Sequence, residues 1–454
     1  MASDFINKLL NLIFSPYGFL GIALGMMLLE KAKTSRRLAW LLFSFCCYAA
    51  SLAKFQDEWV KEPPALVFPL QQLRELGRPL TIVILALVLL LGMETKNGWR
   101  RVVIPQPINY LVMFQAAIFL KVLFYGDMLF ALLAAMTFGA VVLMFKLGPS
   151  RWLQDESNFH LGVWSLAMSG VIFGLACTYQ GIFNMYPMTF TQGRFLGTTG
   201  NPQHAAAFLA STVPCFIFLI GRNKKWDWVK AFWIAMLLII TYFLFLTGSR
   251  TGTLMAITSI LFFYRNRSGT LLRLGFFAIV LLAIIFLFIN PTEVINSNAQ
   301  ISYRLLEGGN TREGVWNAMW NSFINYPIFG APLNGERVNF AENTWLAAGA
   351  TTGIIGLIPL LMMGFGCLQM MFRLTKISKK NPNYFLHTST VIAGLACLIS
   401  GSFSEALLLG NMSFPVMALI LYLSLGKYLI DVDYKHQKDY SSSPTIKNHD
   451  FTKT

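Results

Sequence analysis

Arginines and carboxylates are concentrated in one polar stretch of this chain, residues 291–343. The stretch also contains two tryptophans and the turn sequence Tyr326-Pro327-Ile328-Phe329-Gly330. Guanidinium groups stay charged at any relevant pH and bind phosphate or carboxylate oxygens through paired hydrogen bonds. The charged residues are Arg304, Arg312, Arg337, Glu293, Glu307, Glu313, Glu336 and Glu342. Their concentration predicts a site for an anionic substrate.

Two shorter motifs could extend this site. In residues 193–202, Arg194 lies among glycines and hydroxyls that lead to Asn201-Pro202 and an apolar run. A guanidinium beside a helix N-terminus makes an anion site, although a flexible loop that starts a helix has the same composition. Ser249-Arg250 links two apolar runs so tightly that Arg250 is expected near membrane depth. A charge there is usually functional or paired, unless its side chain snorkels to the interface.

Two further motifs lie within the polar stretch itself. Arg312, Trp316 and Trp320 recur every four residues, which places them on one helix face. Substrate stacking or interfacial anchoring would explain the indoles equally well. Glu342-Asn343 precedes an apolar run with Gly349, Gly353 and Gly356, a spacing that predicts close helix packing. Glu342 could act in chemistry or only cap that helix.

The elements that must position these motifs are membrane helices. The 454 residues are 55% hydrophobic and 13% charged, whereas soluble proteins carry about a quarter charged residues. Repeated apolar runs of about 20 residues predict an all-α polytopic membrane protein with about 12–14 transmembrane helices and one large outer loop. We expect one transmembrane domain, 1–430, and a polar tail, 431–454, without stable structure. The first run, 9–30, forms one span or breaks at Ser15-Pro16.

The net charge of +15 indicates membrane orientation rather than binding to nucleic acid. Basic residues cluster in alternate loops, so the positive-inside rule places those loops and the tail in the cytoplasm and residues 291–343 outside. The six cysteines lie in apolar runs and are expected to pack as small hydrophobic residues. The five histidines are scattered and no CxxC spacing occurs, so no metal site is predicted.

Together the four motifs resemble the O-antigen ligase and polymerase superfamily of membrane glycosyltransferases. The resemblance covers roughly residues 190–365, and the N-terminal third matches only in being helical. Ligases of lipopolysaccharide typically have histidine where this chain has Glu342. The matching residues are Gly193, Arg194, Phe195, Asn201, Pro202, Ser249, Arg250, Arg312, Trp316, Pro327, Phe329, Gly330, Asn343, Gly353 and Gly356.

The resemblance implies a multi-pass protein of the bacterial cytoplasmic (inner) membrane whose active site faces outward. It would transfer a glycan from an undecaprenyl-diphosphate-linked oligosaccharide donor to a glycan or lipid A-core acceptor. The expected catalytic residues are Arg194, Arg250 and Arg312, which would hold the diphosphate, and Glu342, the expected base. Expected substrate-binding residues are Arg304, Asn343, Asn201, Trp316 and Ser249. No outward carboxylate pair suits a divalent cation, so we expect a metal-independent reaction without a cofactor.

Two alternatives remain open. Polymerisation of O-antigen or exopolysaccharide repeat units, with a chain-length regulator as a candidate partner, is preferred because Glu342 replaces the ligase histidine. The O-antigen ligase is the runner-up. A transporter or flippase for lipid-linked sugars is the alternative of another class, and it should carry mid-helix charges and broken helices. Only Lys121 and Glu405 lie inside apolar segments here.

Overall fold

The protein is all-helical in every part that the structure describes. The computed structural model describes residues 15–52, 64–92, 104–125, 128–190, 193–266, 269–270, 275, 312–332, 342–409 and 413–442, and none of these forms a strand. Helices α1 to α7 are Pro16–Thr34, Arg36–Ser51, Leu70–Leu91, Gln106–Tyr125, Met128–Leu147, Pro149–Trp152 and Glu156–Phe183. Helices α8 to α14 are Pro202–Arg222, Trp228–Leu246, Arg250–Phe263, Glu313–Asn325, Thr344–Lys380, Phe385–Ser402 and Phe414–Ser442.

Several of these helices are long and apolar enough to cross a membrane, which confirms the predicted polytopic class. Seven among the described residues meet that requirement by length and composition. The count of 12–14 stays a prediction, because segments such as 274–290 lie almost wholly outside the described residues. The seven are Gln106–Tyr125, Glu156–Phe183, Pro202–Arg222, Trp228–Leu246, Thr344–Lys380, Pro382–Ser402 and Phe414–Lys435.

Helices α8 and α14 form the centre of the bundle. Most side chains of α8 and those of residues 414–426 in α14 are buried, as expected for helical segments that are apolar all round. Tyr422 of α14 donates a hydrogen bond to the carbonyl of Ser211 in α8 at 2.8 Å. On its other side Gly394 of α13 leaves room for the phenol ring, because a Cβ there would lie 2.3 Å from it. The six cysteines are all buried and unpaired, as predicted.

Helix α13 connects the two ends of the bundle. Its 18 residues span about 27 Å. At its start, His387 meets His160 of α7, and we call this end the histidine end. At its finish, Ser402 accepts a hydrogen bond from the indole of Trp345 at 3.1 Å, and we call this end the site end. Helices α8, α10 and α12 begin at the site end, where the candidate residues lie.

Helix α12 reverses direction at Gly353, which has φ 61° and ψ −157°. The short leg, 344–352, folds back on the long leg, 354–380: Gly349 lies close to Leu357, and Gly364 to the indole of Trp345. The glycine spacing predicts close packing on a neighbour, and Gly349 does lie against α11 and Gly356 against α4. Gly353 is instead the point of reversal, since its backbone conformation is one that L side chains rarely adopt.

Helix α14 continues past the expected end of the membrane domain. Residues 431–442 are helical, which differs from the prediction of a tail without stable structure. Two ion pairs help to extend the helix. Lys427 pairs with Asp431 one turn later, and Lys380 at the end of α12 pairs with Asp433 at 3.8 Å. Residues 443–454 lie outside the described part.

Candidate active site

The candidate site is arranged around the turn 247–251, which joins α9 to α10. The Ser249 hydroxyl caps α10 by accepting from the backbone N–H of Gly252 at 3.2 Å, and the Thr247 hydroxyl accepts from the N–H of Ser249 at 3.2 Å. Gly248 supplies the positive φ of 57° that the turn requires. Arg250 is thereby the first residue of α10, and its side chain is exposed.

The N-termini of α8 and α10 lie side by side. A Cβ on Gly252 would lie 2.4 Å from the Cβ of Ala206, so only glycine permits this approach. Asn201 caps α8, its Oδ1 accepting from the backbone N–H groups of Gln203 at 2.8 Å and His204 at 3.3 Å. Each helix N-terminus acts like about half a positive charge, so the pair favours an anion. The side chains of Ser249 and Asn201, which we expected to bind substrate, are both engaged in caps.

Arg194 reaches the same turn from another segment. Its Nε donates to the carbonyl of Thr247 at 2.8 Å, and only 7% of the residue is exposed. The next residue, Phe195, donates its backbone N–H to the carbonyl of Leu246 at 3.0 Å. These bonds hold residues 193–202 against the end of α9. The structure therefore brings Arg194 and Arg250, which are far apart in sequence, to one turn.

Arg312, which precedes α11, joins three segments through one guanidinium. Its Nη1 donates to the carbonyl of Ser404 and contacts the hydroxyl of Thr251 at 3.5 Å. Its Nη2 pairs with Glu405, and its Nε forms an ion pair with Glu342 at 2.8 Å. Arg312 thus lies between two carboxylates, which we call the acidic pair, Glu342 and Glu405.

Glu405 is the buried member of the acidic pair. It lies in the turn between α13 and α14 and is 7% exposed. Its backbone carbonyl accepts from the Thr344 hydroxyl at 2.7 Å, and that hydroxyl accepts in turn from the N–H of Leu407 at 3.0 Å. Burial raises the pKa of the Glu405 carboxyl to about 7, although Arg312 opposes the rise by favouring the charged form.

Glu342 is the accessible member of the acidic pair, with a third of its side chain exposed. The following residue, Asn343, has a positive φ of 73° and caps α12. Its Oδ1 accepts from the N–H groups of Trp345 and Leu346, and its Nδ2 donates to the carbonyl of Phe403 at 2.9 Å. Asn343 therefore fixes the backbone beside Glu342, and its predicted contact with substrate stays a prediction.

Helix α11 lies against the short leg through part of the predicted face. Trp316 is half-buried and packs on the core, and Met319 is buried, but Trp320 is 50% exposed. Phe323 packs against Gly349 of the short leg. The indole N–H of Trp316 is buried and finds no hydrogen-bond acceptor among the described residues.

The turn 326–331 fastens α11 to the reversal in α12. The N–H of Ile354 donates to the carbonyl of Pro327, and the N–H of Ala331 to the carbonyl of Ala350, both at 2.8 Å. The two backbones meet at Gly330, where a Cβ would lie 2.2 Å from the carbonyl carbon of Thr351. The Lys121 ammonium then binds the carbonyls of Phe329, Ala331 and Thr351. The backbone groups released by the reversal are therefore satisfied.

One predicted site residue cannot be placed, and two residues of the observed site were not predicted to belong to it. Arg304 lies outside the described residues, as do residues 276–311 and 333–341 around it. Glu405 and Lys121 were noted in the sequence only as charges inside apolar segments. That isolation is itself the available signal, because a charge in such a segment is usually paired or functional.

Comparison with known proteins supports the site's family. Residues 235–361 match the family described as O-Antigen ligase, which confirms the predicted resemblance to the O-antigen ligase and polymerase superfamily over that stretch. The matched range includes Arg250, Arg312, Glu342 and Asn343, but it ends before the turn that contains Glu405. Comparison with curated proteins found no match.

Proposed function

We propose that this protein is a glycosyltransferase that moves a glycan from an undecaprenyl-diphosphate carrier to an acceptor hydroxyl and so polymerises repeat units of a polysaccharide. The family match supports a membrane protein of the O-antigen ligase or polymerase type. The observation that carries the finer proposal is the turn 247–251. The turn contains Arg250, and the side chains of Arg194 and Arg312 reach it beside two helix N-termini and the acidic pair.

In this proposal the diphosphate binds to Arg250 and Arg194. Arg250 is exposed at the N-terminus of α10, and Arg194 is held at the preceding turn. Guanidinium groups and helix N-termini stabilise the negative charge that the diphosphate gains as it leaves, which is commonly a large catalytic contribution. Phe245 and Leu254, on either side of Arg250 in the sequence, expose apolar side chains that suit the lipid tail of the carrier.

Glu342 is the proposed base, and Arg312 positions it. The acceptor hydroxyl oxygen attacks the anomeric carbon, the bond from that carbon to the diphosphate oxygen breaks, and the hydroxyl proton passes to the Glu342 carboxylate. The guanidinium of Arg312 donates to the acidic pair, Thr251 and Ser404, so its first role is to orient Glu342. Glu405 holds Arg312 from the buried side. Arg312 fills the position between the carboxylates, which agrees with a reaction that needs no metal there.

The test is a transfer assay with the purified full chain and a labelled undecaprenyl-diphosphate oligosaccharide. We expect release of the lipid diphosphate together with longer lipid-linked glycans. If the labelled glycan is not joined to a second lipid-linked glycan but is transferred to an added lipid A-core acceptor, the protein is a ligase rather than a polymerase. The family description favours that alternative. If the bond between glycan and diphosphate stays intact in every mixture, and the protein in vesicles moves the donor across the membrane, the protein is a transporter rather than a transferase.

Among the described residues, the broken helix α12 and the charged Lys121 inside α4 are features expected of a transporter. In transporters such breaks line the substrate cavity. Here the turn 326–331 and Lys121 occupy the released backbone groups instead. The break therefore fixes α11 and Arg312 rather than offering a binding cavity of its own.

An outward-facing site is part of the proposal. Arg222 ends α8 at the histidine end, and Lys224 and Lys225 follow it, as the positive-inside rule expects of the cytoplasmic side. A cysteine at the exposed position Asn317 should react with a membrane-impermeant thiol reagent in intact cells, and one at Lys224 should react only after lysis. The reverse pattern would place the site in the cytoplasm.

A further inference from the structure

We propose that Glu156, His160 and His387 form a binding site for a divalent transition-metal ion, with Zn²⁺ as the reference ion, at the histidine end of the bundle. The site is separate from the proposed active site, since α13 runs between the two ends. Two imidazole nitrogens and a carboxylate oxygen are a common ligand set for zinc. Neither the family match nor the histidine spacing in the sequence assigns it.

The three donor atoms have the separations of metal ligands. The Nε2 atoms of His160 and His387 are 3.1 Å apart. The Oε1 atom of Glu156 lies 3.5 Å from each of them. A point equidistant from these three atoms is about 2.0 Å from each, which is the usual length of a zinc–nitrogen or zinc–oxygen bond.

The fold supplies this geometry from two helices. Glu156 and His160 lie one turn apart on the same face of α7, whose start is fixed because Asp155 caps it by accepting from the N–H of Asn158 at 2.7 Å. His387 comes from the first turn of α13. The two histidine side chains are mostly buried, while Glu156 is largely exposed. The carboxylate side is therefore open to the ion and to a water molecule as fourth ligand.

Aromatic rings enclose the imidazoles on the buried side. The ring of Phe159 lies 5.0 Å from that of His387, and the ring of Phe218 lies 5.4 Å from it. Tyr384 completes the enclosure at 6.0 Å. Packing of this kind limits the rotation of the ligands and so reduces the entropy lost when the ion binds.

A hydrogen bond between the two imidazoles would explain their short separation without an ion. It would not explain why one carboxylate oxygen lies equally far from both nitrogens. Two observations oppose the ion. Arg222 is close enough to act on both histidines, and the Nδ1 of His387 is buried without a partner among the described residues. The unpartnered Nδ1 of His387 amounts to one missing hydrogen bond, whereas the bound ion would form bonds to three ligands.

The bound ion would cross-link the start of α7 to the start of α13. It would contribute to stability because a ligand that binds only the folded protein favours folding. Imidazoles bind an ion in their neutral form, so protons compete with the ion and binding should weaken as the pH is lowered.

The experiment uses the full chain, purified with a tag that lacks histidine, stripped by a chelator and then loaded with Zn²⁺. We expect about one retained ion per chain, measured by elemental mass spectrometry, and a rise in Tm on loading. His160→Ala and His387→Ala should lose both. Glu156→Gln, a change at an exposed side chain, should weaken affinity at least about tenfold, since even the loss of outer-shell partners costs 10–100-fold. His204→Ala, at the site end, is the matched control and should keep both.

Two results would overturn the site. One is no retained zinc in the wild-type chain. The other is equal zinc in the His160→Ala, His387→Ala and His204→Ala variants, which would assign binding to other residues. Should either alanine variant fail to fold, the Glu156→Gln titration decides: an affinity equal to that of the wild type rejects the site.

Discussion

The two ends of the bundle use carboxylates in opposite ways. At the site end, both members of the acidic pair face Arg312, and the surroundings add Arg194, Arg250 and the starts of two helices. At the histidine end, Glu156 faces two imidazoles instead. A guanidinium keeps a carboxylate charged and oriented, whereas two imidazole nitrogens and a carboxylate oxygen are a ligand set for a cation. The partner of the carboxylate, more than its burial, separates the two chemistries.

The largest expected effect is the loss of glycan transfer when the ion pairs of Arg312 are removed, compared with removal of the exposed ion pair of Arg36. Arg312→Ala should lower glycan transfer by about 10³-fold or more, because it removes the residue that orients Glu342 and leaves Glu405 buried without its charge partner. Arg36→Ala removes the exposed pair with Asp155 at the histidine end, 2.6 Å long, and should cost at most about 1 kcal/mol with transfer unchanged. Labelled-donor turnover and Tm measure both variants.

Arg312→Lys distinguishes orientation from charge alone. Lysine keeps the charge but not the planar set of donors, so it should rescue the variant poorly. Equal activity of Arg312→Ala and the wild type would remove Arg312 from the mechanism. Loss of folded protein in both Arg312 variants, with activity proportional to the protein that remains, would make the residue purely structural.

The second prediction concerns the chain reversal that holds Arg312 in place. Gly353→Ala would put a Cβ 2.3 Å from the carbonyl oxygen of Ile328 at a positive φ, so we expect loss of several kcal/mol or failure to fold. Gly139→Ala in α5, where a Cβ meets nothing within 4 Å, should be neutral or stabilise by up to about 1 kcal/mol. Thermal unfolding in detergent measures the difference. Equal Tm values would contradict the tight insertion of the turn 326–331.

The sequence predicted the helical membrane class, and it selected residues that the structure brings close together, but it did not predict how they pair. Arg194, Arg250 and Arg312 could be selected because they stand in polar motifs between apolar runs, and the structure brings all three to one turn. The pairing of Arg312 with Glu405 could not be foreseen, since no local pattern links residues 93 positions apart. The reversal at Gly353 escaped prediction because small residues spaced along a helix usually signal packing. His160 and His387 meet only through the packing of two distant helices.

The third prediction uses pH to test the burial of Glu405. Its pKa is raised to about 7 in the folded protein from an ordinary value of 4.5. The folded state therefore binds the proton more tightly, so this stabilisation is complete below about pH 4.5 and is lost as pH rises through about 7. Glu405→Gln should flatten the fall of Tm between these values, an effect on the order of 1–3 kcal/mol. Glu30→Gln, at an exposed glutamate, is the control, and an unchanged slope in Glu405→Gln would contradict the assignment.

The smallest effects come from helix caps, and they offer the most balanced comparison of the two ends. Asn201→Ala removes the cap of α8 at the site end, and Asp155→Ala removes the cap of α7 at the histidine end. Each should cost about 1 kcal/mol of stability, since both side chains satisfy backbone N–H groups. Only Asn201→Ala should also lower transfer, because α8 starts beside the turn that holds Arg194 and Arg250. Asp155→Ala should instead weaken zinc binding, because Glu156 and His160 lie in the turn it caps. Equal losses of transfer in the two variants, after correction for folded protein, would show that stability alone governs activity and that the ends do not differ in function.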